Sequence, residues 1–194
     1  TLRMLIQLLL IGYVLVYIFK TDQPEFIMVV LVIMLTVASW IAIRPLQKKQ
    51  PQMYMNSFLS ISIGSILILT LVIQIVIDIE PWFSPRYVVP LAGMIISSAM
   101  NTVSLAAERF QSEYNKKTPY IEARRIALRV SLIPIINSLF AVGLVALPGM
   151  MTGQILSGVS PLIAAQYQIV VMTMLFSASG ISASLYLVLI NRSL

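Results

Sequence analysis

The sequence contains no cysteine and no histidine. Disulfides, thiolate or imidazole metal centres and histidine-based acid–base catalysis are therefore excluded. Charge is scarce as well: 10% of the 194 residues are charged, where a soluble domain carries about 25%. No G-x-x-x-x-G-K-[ST] phosphate loop is present, since no lysine follows the Gly143 to Gly149 stretch, so the chain has no visible means of hydrolysing ATP. An H-E-x-x-H pair, a nucleophile elbow and paired carboxylates within an apolar run are all missing, which argues against an enzyme. Carriers coupled to protons or sodium usually bury acids mid-span, and here the acids lie near the ends of apolar runs or between them.

What is present is apolar. Hydrophobic residues make up 59% of the chain, and a membrane helix needs about 20 of them in succession. Six segments meet or approach that length: Met4–Phe19, Phe26–Ile43, Asn56–Ile79, Val88–Ala107, Ile126–Leu147 and Leu162–Ile190. Lipid offers a backbone no hydrogen bonds, so such runs are expected to be helices. The expected fold is an all-α, polytopic membrane protein of about six transmembrane helices, with residues 1–194 forming one domain. The chain begins at Thr1, almost inside the first apolar run and with no signal peptide before it. A preceding helix is expected to be missing.

The net charge of +6 gives no reason to expect nucleic acid; its placement is the useful datum. Residues 44–55 hold Arg44, Lys48 and Lys49, and residues 108–125 hold Arg109, Lys116, Lys117, Arg124 and Arg125. Arg3 precedes the first run and Arg192 follows the last. The alternate loops set Lys20 against Asp22 and Glu25, and Arg86 against Asp78 and Glu80. Basic residues on cytoplasmic loops set orientation, so both ends of this chain are expected in the cytoplasm and the protein in the inner or plasma membrane.

Polar groups inside the runs mark either a path or helix packing. Met94, Ser98, Asn101, Leu105 and Glu108 recur at helical spacing in the fourth run. The fifth has Pro134 followed by Asn137 and Ser138, a kink or a hinge. Ser60 with Gly64, and Ser177, Gly180 and Ser184, have the spacing of close-packing surfaces. Asp78 and Glu80 read as a solvated helix end or an outer cation site. The uncharged stretch "VALPGMMTGQILSG" at 145–158 carries Pro148, Gly149 and Gly153, which interrupt a helix. A turn over 148–154 is expected to border an exit path. There Met150 and Met151 offer thioethers for a soft metal or simply adaptable packing, and Gln154 offers a neutral oxygen.

Four quoted pieces occur in order over residues 88 to about 175: "VVPLAGMIISSAMNTVSLAAERF", "ALRVSLIPIINSLFAVGL", "GLVALPGMMTGQILSG" and "SPLIAAQYQIVV". On these the chain resembles the iron-export ABC transporter permease family, of the FetB type. The resemblance implies a permease that forms a homodimer, sits in membrane lipid and is driven by a separate ATP-binding cassette subunit. ATP and Mg would then be bound on that subunit, with no cofactor on this chain. A path is expected to be bordered by Met94, Ser98, Asn101, Asn137, Pro148, Gly149, Met150, Met151 and Gln154. Docking of the ATP-binding subunit is expected on Glu108, Arg109, Glu122, Arg124 and Arg125. Family members have a longer loop after the fourth run than the "QSEYNKKTPYIEARR" found here. Plant members are linked to aluminium tolerance, so the resemblance leaves the cargo, and any metal ligands, open. An autonomous channel or secondary carrier is the alternative.

Overall fold

A computed structural model describes residues 2–19, 23–46 and 50–190. Lys20, Asp22, Lys48, Lys49 and Arg192, together with the side chain of Arg3, lie outside the described residues. The described chain is all helical. Its seven α-helices are α1 (Leu2–Ile18), α2 (Pro24–Ala42), α3 (Pro51–Leu71), α4 (Pro85–Asn115), α5 (Tyr120–Ala141), α6 (Gly149–Leu156) and α7 (Pro161–Leu189), and a π-helical turn, Val72–Val76, extends α3. Proline opens α2, α3, α4 and α7, where its missing N–H costs nothing and its fixed φ suits the first turn.

Four helices, α2, α3 with its π turn, α4 and α7, are long and apolar enough to cross a membrane. Helices α1 and α5 fall outside these four. Helix α1 has 17 described residues, about 25 Å, at the short end of the range for a span. Helix α5 opens at Tyr120 and not Ile126, with Glu122, Arg124, Arg125 and Arg129 in its first turns. Its apolar remainder, Val130 to Ala141, extends only about 18 Å. It stops at Ala141 and not Leu147 because the chain turns at Gly143, whose φ of +79° suits glycine.

Helix α4 forms the centre, packing against α2, α3, α5 and α7. Its inner face is a run of small and branched residues, Ala92, Ile95, Ala99, Val103, Ala106 and Ala107, all at most 1% exposed. In lipid such faces associate by close van der Waals packing. Helices α3 and α7 approach closely at Gly64, where an added Cβ would overlap Ser182 Oγ. Ser60 and Gly64 are thus buried as expected, but the matching face of α7 is Ser179, Ser182 and Ala183. Ser177, Gly180 and Ser184 are only half-buried, one position off the buried line. Tyr17, near the end of α1, meets Phe26 edge to face at 6.2 Å.

The helix ends sort by charge. Asn56 Nδ2 donates to Leu189 O at 3.4 Å and Tyr120 Oη to Leu187 O at 3.3 Å. These bonds bring the start of α3, the α4–α5 turn and the end of α7 to one end of the bundle, with Arg44, Arg109, Lys116, Lys117, Arg124 and Arg125. The opposite end carries Asp78, Glu80 and Arg86. Helix α4 is about 46 Å long, so it overshoots the hydrocarbon at the basic end.

Candidate functional site

The stretch 108–125, read as a loop, is largely helix. Helix α4 runs on to Asn115, α5 begins at Tyr120, and a four-residue turn joins them. The local sequence explains this. Arg109 Nη2 pairs with Glu113 Oε1 at 2.7 Å, one helical turn on, and Lys116 Nζ reaches the same oxygen at 3.3 Å. Thr118 Oγ1 donates to Glu113 Oε2 at 3.2 Å, and the Thr118 amide to Glu113 O at 3.2 Å. Lys117 takes the left-handed conformation, φ 63°, that reverses the chain. Glu113, 7% exposed, therefore fastens the tip of a helical hairpin. Sequence reasoning passed over it, although its i+4 and i−3 spacing to Arg109 and Lys116 was readable. Glu113→Ala is expected to speed trypsin cleavage after Lys116 and Lys117 several-fold in membrane vesicles, because the turn opens locally. Digestion followed by gel electrophoresis measures it, and an unchanged rate would remove the fastening role.

The hairpin displays charge on one side. A shallow groove of about 290 Å³ is lined by Glu122, Arg125, Ile126, Arg129 and Val130. These positions share one face of α5. Of the expected docking set, Glu122 and Arg125 line the groove, and Glu108 is exposed at the end of α4. Arg109 is engaged with Glu113, and Arg124 lies 5.9 Å over the Tyr120 ring. Arg129 joins the groove as a residue beyond that set.

The expected path residues of α4 share one stripe, within about 80° of each other, but differ in burial. Ser98 faces inward, its hydroxyl 2.8 Å from that of Ser179 on α7, and half-buried Met94 packs against the core. Asn101, Leu105 and Glu108 are exposed, as is Ser97. Asn137 is exposed on α5, and the helix continues through Pro134. The hydroxyl that reaches back there is Ser138, donating to Pro134 O at 2.9 Å.

The 148–154 turn is corrected to helix. Pro148 caps α6, which holds Gly149, Met150, Met151, Gly153 and Gln154. The left-handed glycines are Gly143 and Gly158, φ +79° and +90°; Gly149 and Gly153 have open space where a Cβ would go. The interruption lies on either side of α6, where the chain reverses. Met150 is 38% exposed, Met151 is half-buried, and Gln154 Oε1 is enclosed with no hydrogen-bond partner.

Among the described residues no three acidic side chains cluster to hold a metal. A cavity of about 240 Å³ between α2, α3 and α4 is lined almost wholly by apolar side chains, Met28, Leu35, Ile73 and Ala92 among them. Ser65, Thr70 and Gln74 are its polar lining residues, and it holds no charged side chain.

Long apolar helices around an alanine-rich core, ending in one basic and one acidic pole, define a multi-pass helical membrane protein. The chain belongs to UPF0014, the family described as an uncharacterised protein family, whose model matches residues 1–194. It is 37% identical to the UPF0014 membrane protein slr1647 of Synechocystis over 93% of this chain and 75% of the relative. It is 33% identical to the probable iron export permease protein FetB of Escherichia coli over 93% of this chain and 74% of that one. The Arabidopsis thaliana protein ALUMINUM SENSITIVE 3 is 32% identical over 93% of this chain and 70% of its own. No solved structure matches.

Proposed function

We propose that this chain is the permease subunit of an ABC-type transporter that exports a metal ion, iron first, or a metal-linked solute. A separate ATP-binding subunit powers it. The observation that carries the reading is the outward face of α4. Asn101 is exposed midway along a 31-residue membrane helix, where bare hydrocarbon would leave its amide unsatisfied. A second copy set against this face covers it, and the path borders α4 with Met94 and Ser98 at its half-buried edge and Asn101, with Asn137 of α5, at its exposed edge. Pro148, Gly149, Met150, Met151 and Gln154 border its far end. The basic pole faces the cytoplasm and the hairpin 108–125 receives the ATP-binding subunit, which brings ATP and Mg. Iron comes from the relative named as a probable iron export permease, and the relative named for aluminium sensitivity adds aluminium to the assay.

The test is uptake of ferrous, ferric and aluminium ions into inside-out vesicles holding this chain with its ATP-binding partner. ATP-dependent accumulation that needs both subunits is expected. Flux through this chain alone would overturn the reading in favour of an autonomous channel or carrier.

A further inference from the structure

Helix α7 carries three enclosed polar atoms with no hydrogen-bond partner: Gln168 Oε1, Ser182 Oγ and Tyr186 Oη. Their residues are 5%, 0% and 0% exposed. Five turns of an α-helix take 18 residues, so 168 and 186 share one bearing, and 182 lies one turn from 186. The line from 168 to 186 is about 27 Å long, close to the thickness of the hydrocarbon core. Ser179 lies on the same bearing and meets Ser98 of α4. Gly64 of α3 lies directly against Ser182.

Close packing does not account for this line. Alanine at 182 and phenylalanine at 186 would fill the space, while an enclosed unpaired polar group costs ~1–3 kcal/mol. Some other enclosed hydroxyls escape that cost by donating one turn back, as Ser39 does to Leu35 O and Thr102 to Ser98 O, while Ser62 and Ser65 of α3 do not. Ser182 has no such bond. Polar atoms kept in file without partners find them when the file is wet.

We propose that the seam between α7 and α3 parts within a single subunit to admit a hydrated cation. Gln168, Ser179, Ser182 and Tyr186 then line the way with neutral oxygens, and Ser98 closes it from α4. This rests on the permease reading and narrows it: conduction is assigned to the α7 side of Ser98, and Asn101, about 60° further round α4, is given to the contact between copies. Neutral oxygens without a carboxylate hold a cation weakly, which suits passage over storage.

The chain is free of cysteine, so single cysteines report directly. Gln168→Cys, Ser182→Cys, Asn101→Cys and, as a buried apolar control, Ala99→Cys are treated in vesicles with a small cationic methanethiosulfonate reagent. Cysteines at 168 and 182 are expected to react at least ten-fold faster than the one at 99, and ferrous ion to slow them. Gln168→Cys serves where Ser182→Cys fails to reach the membrane. Reaction at both no faster than at 99, or transport blocked only through the cysteine at 101, would overturn the proposal. Labelling needs no transport, so fast labelling without metal flux sinks the permease reading alone, and flux without labelling sinks the seam alone.

Discussion

Gly64→Val is expected to remove the folded protein from the membrane. A Cβ at this position overlaps Ser182 Oγ and stands 3.2 Å from Ser182 N and 3.3 Å from its Cβ. The backbone nitrogen cannot step aside, so α3 and α7 must separate. Overpacking of this kind costs about 3 kcal/mol, a large part of a marginal stability. Gly64→Ala meets the same obstacle with fewer atoms. The atom most in the way is the Ser182 hydroxyl, so Ser182→Ala is expected to recover part of the loss, with a coupling of ~1 kcal/mol or more. Thermal unfolding in detergent of the two single variants and the double one measures it. Additive effects would show that the seam is not where the clash is felt.

On the proposal that the hairpin receives an ATP-binding subunit, reversing Arg125 and Arg129 to glutamate is expected to abolish ATP-driven transport while the protein still inserts. Both line the groove on α5 with Glu122, on the hairpin that projects past the hydrocarbon. Two reversals beside a native acid make the groove uniformly negative, and placing like charge against a docked surface costs several kcal/mol. Capture of the ATP-binding subunit is expected to fall by about 100-fold or more at low salt. Co-purification and vesicle uptake measure the two effects. Full coupling in the double variant would move docking elsewhere.

The sequence disclosed much of this and missed definite parts. Apolar runs located α2, α3, α4 and α7, because hydrophobic length is a direct requirement of the bilayer. Helix ends were hidden where charge replaced hydropathy. Glu108 to Asn115 remain helical through the Arg109–Glu113 pair, and Tyr120 to Arg129 through an outward charged face. Pro148, Gly149 and Gly153 suggested a turn, yet proline caps a helix start and glycine is tolerated within one; the reversals fell to Gly143 and Gly158. In the candidate site, spacing put Ser98 and Asn101 on one stripe. They do lie only about 60° apart round the helix, and only the packing of α7 showed that Ser98 is covered while Asn101 is left exposed. The file at 168, 182 and 186 was out of reach, since its meaning lies in absent partners.

Helix α4 has no proline or glycine between Met94 and Asn115, so nothing in that stretch invites it to bend. The hairpin tip and Ser98 are therefore two points on one stiff lever, about 26 Å apart. A tilt of about 10° at the tip carries Ser98 roughly 4 Å sideways, more than its hydroxyl contact with Ser179 can follow. Leverage of that kind would let a push delivered at the basic pole unlatch a contact in mid-membrane without any helix having to unwind.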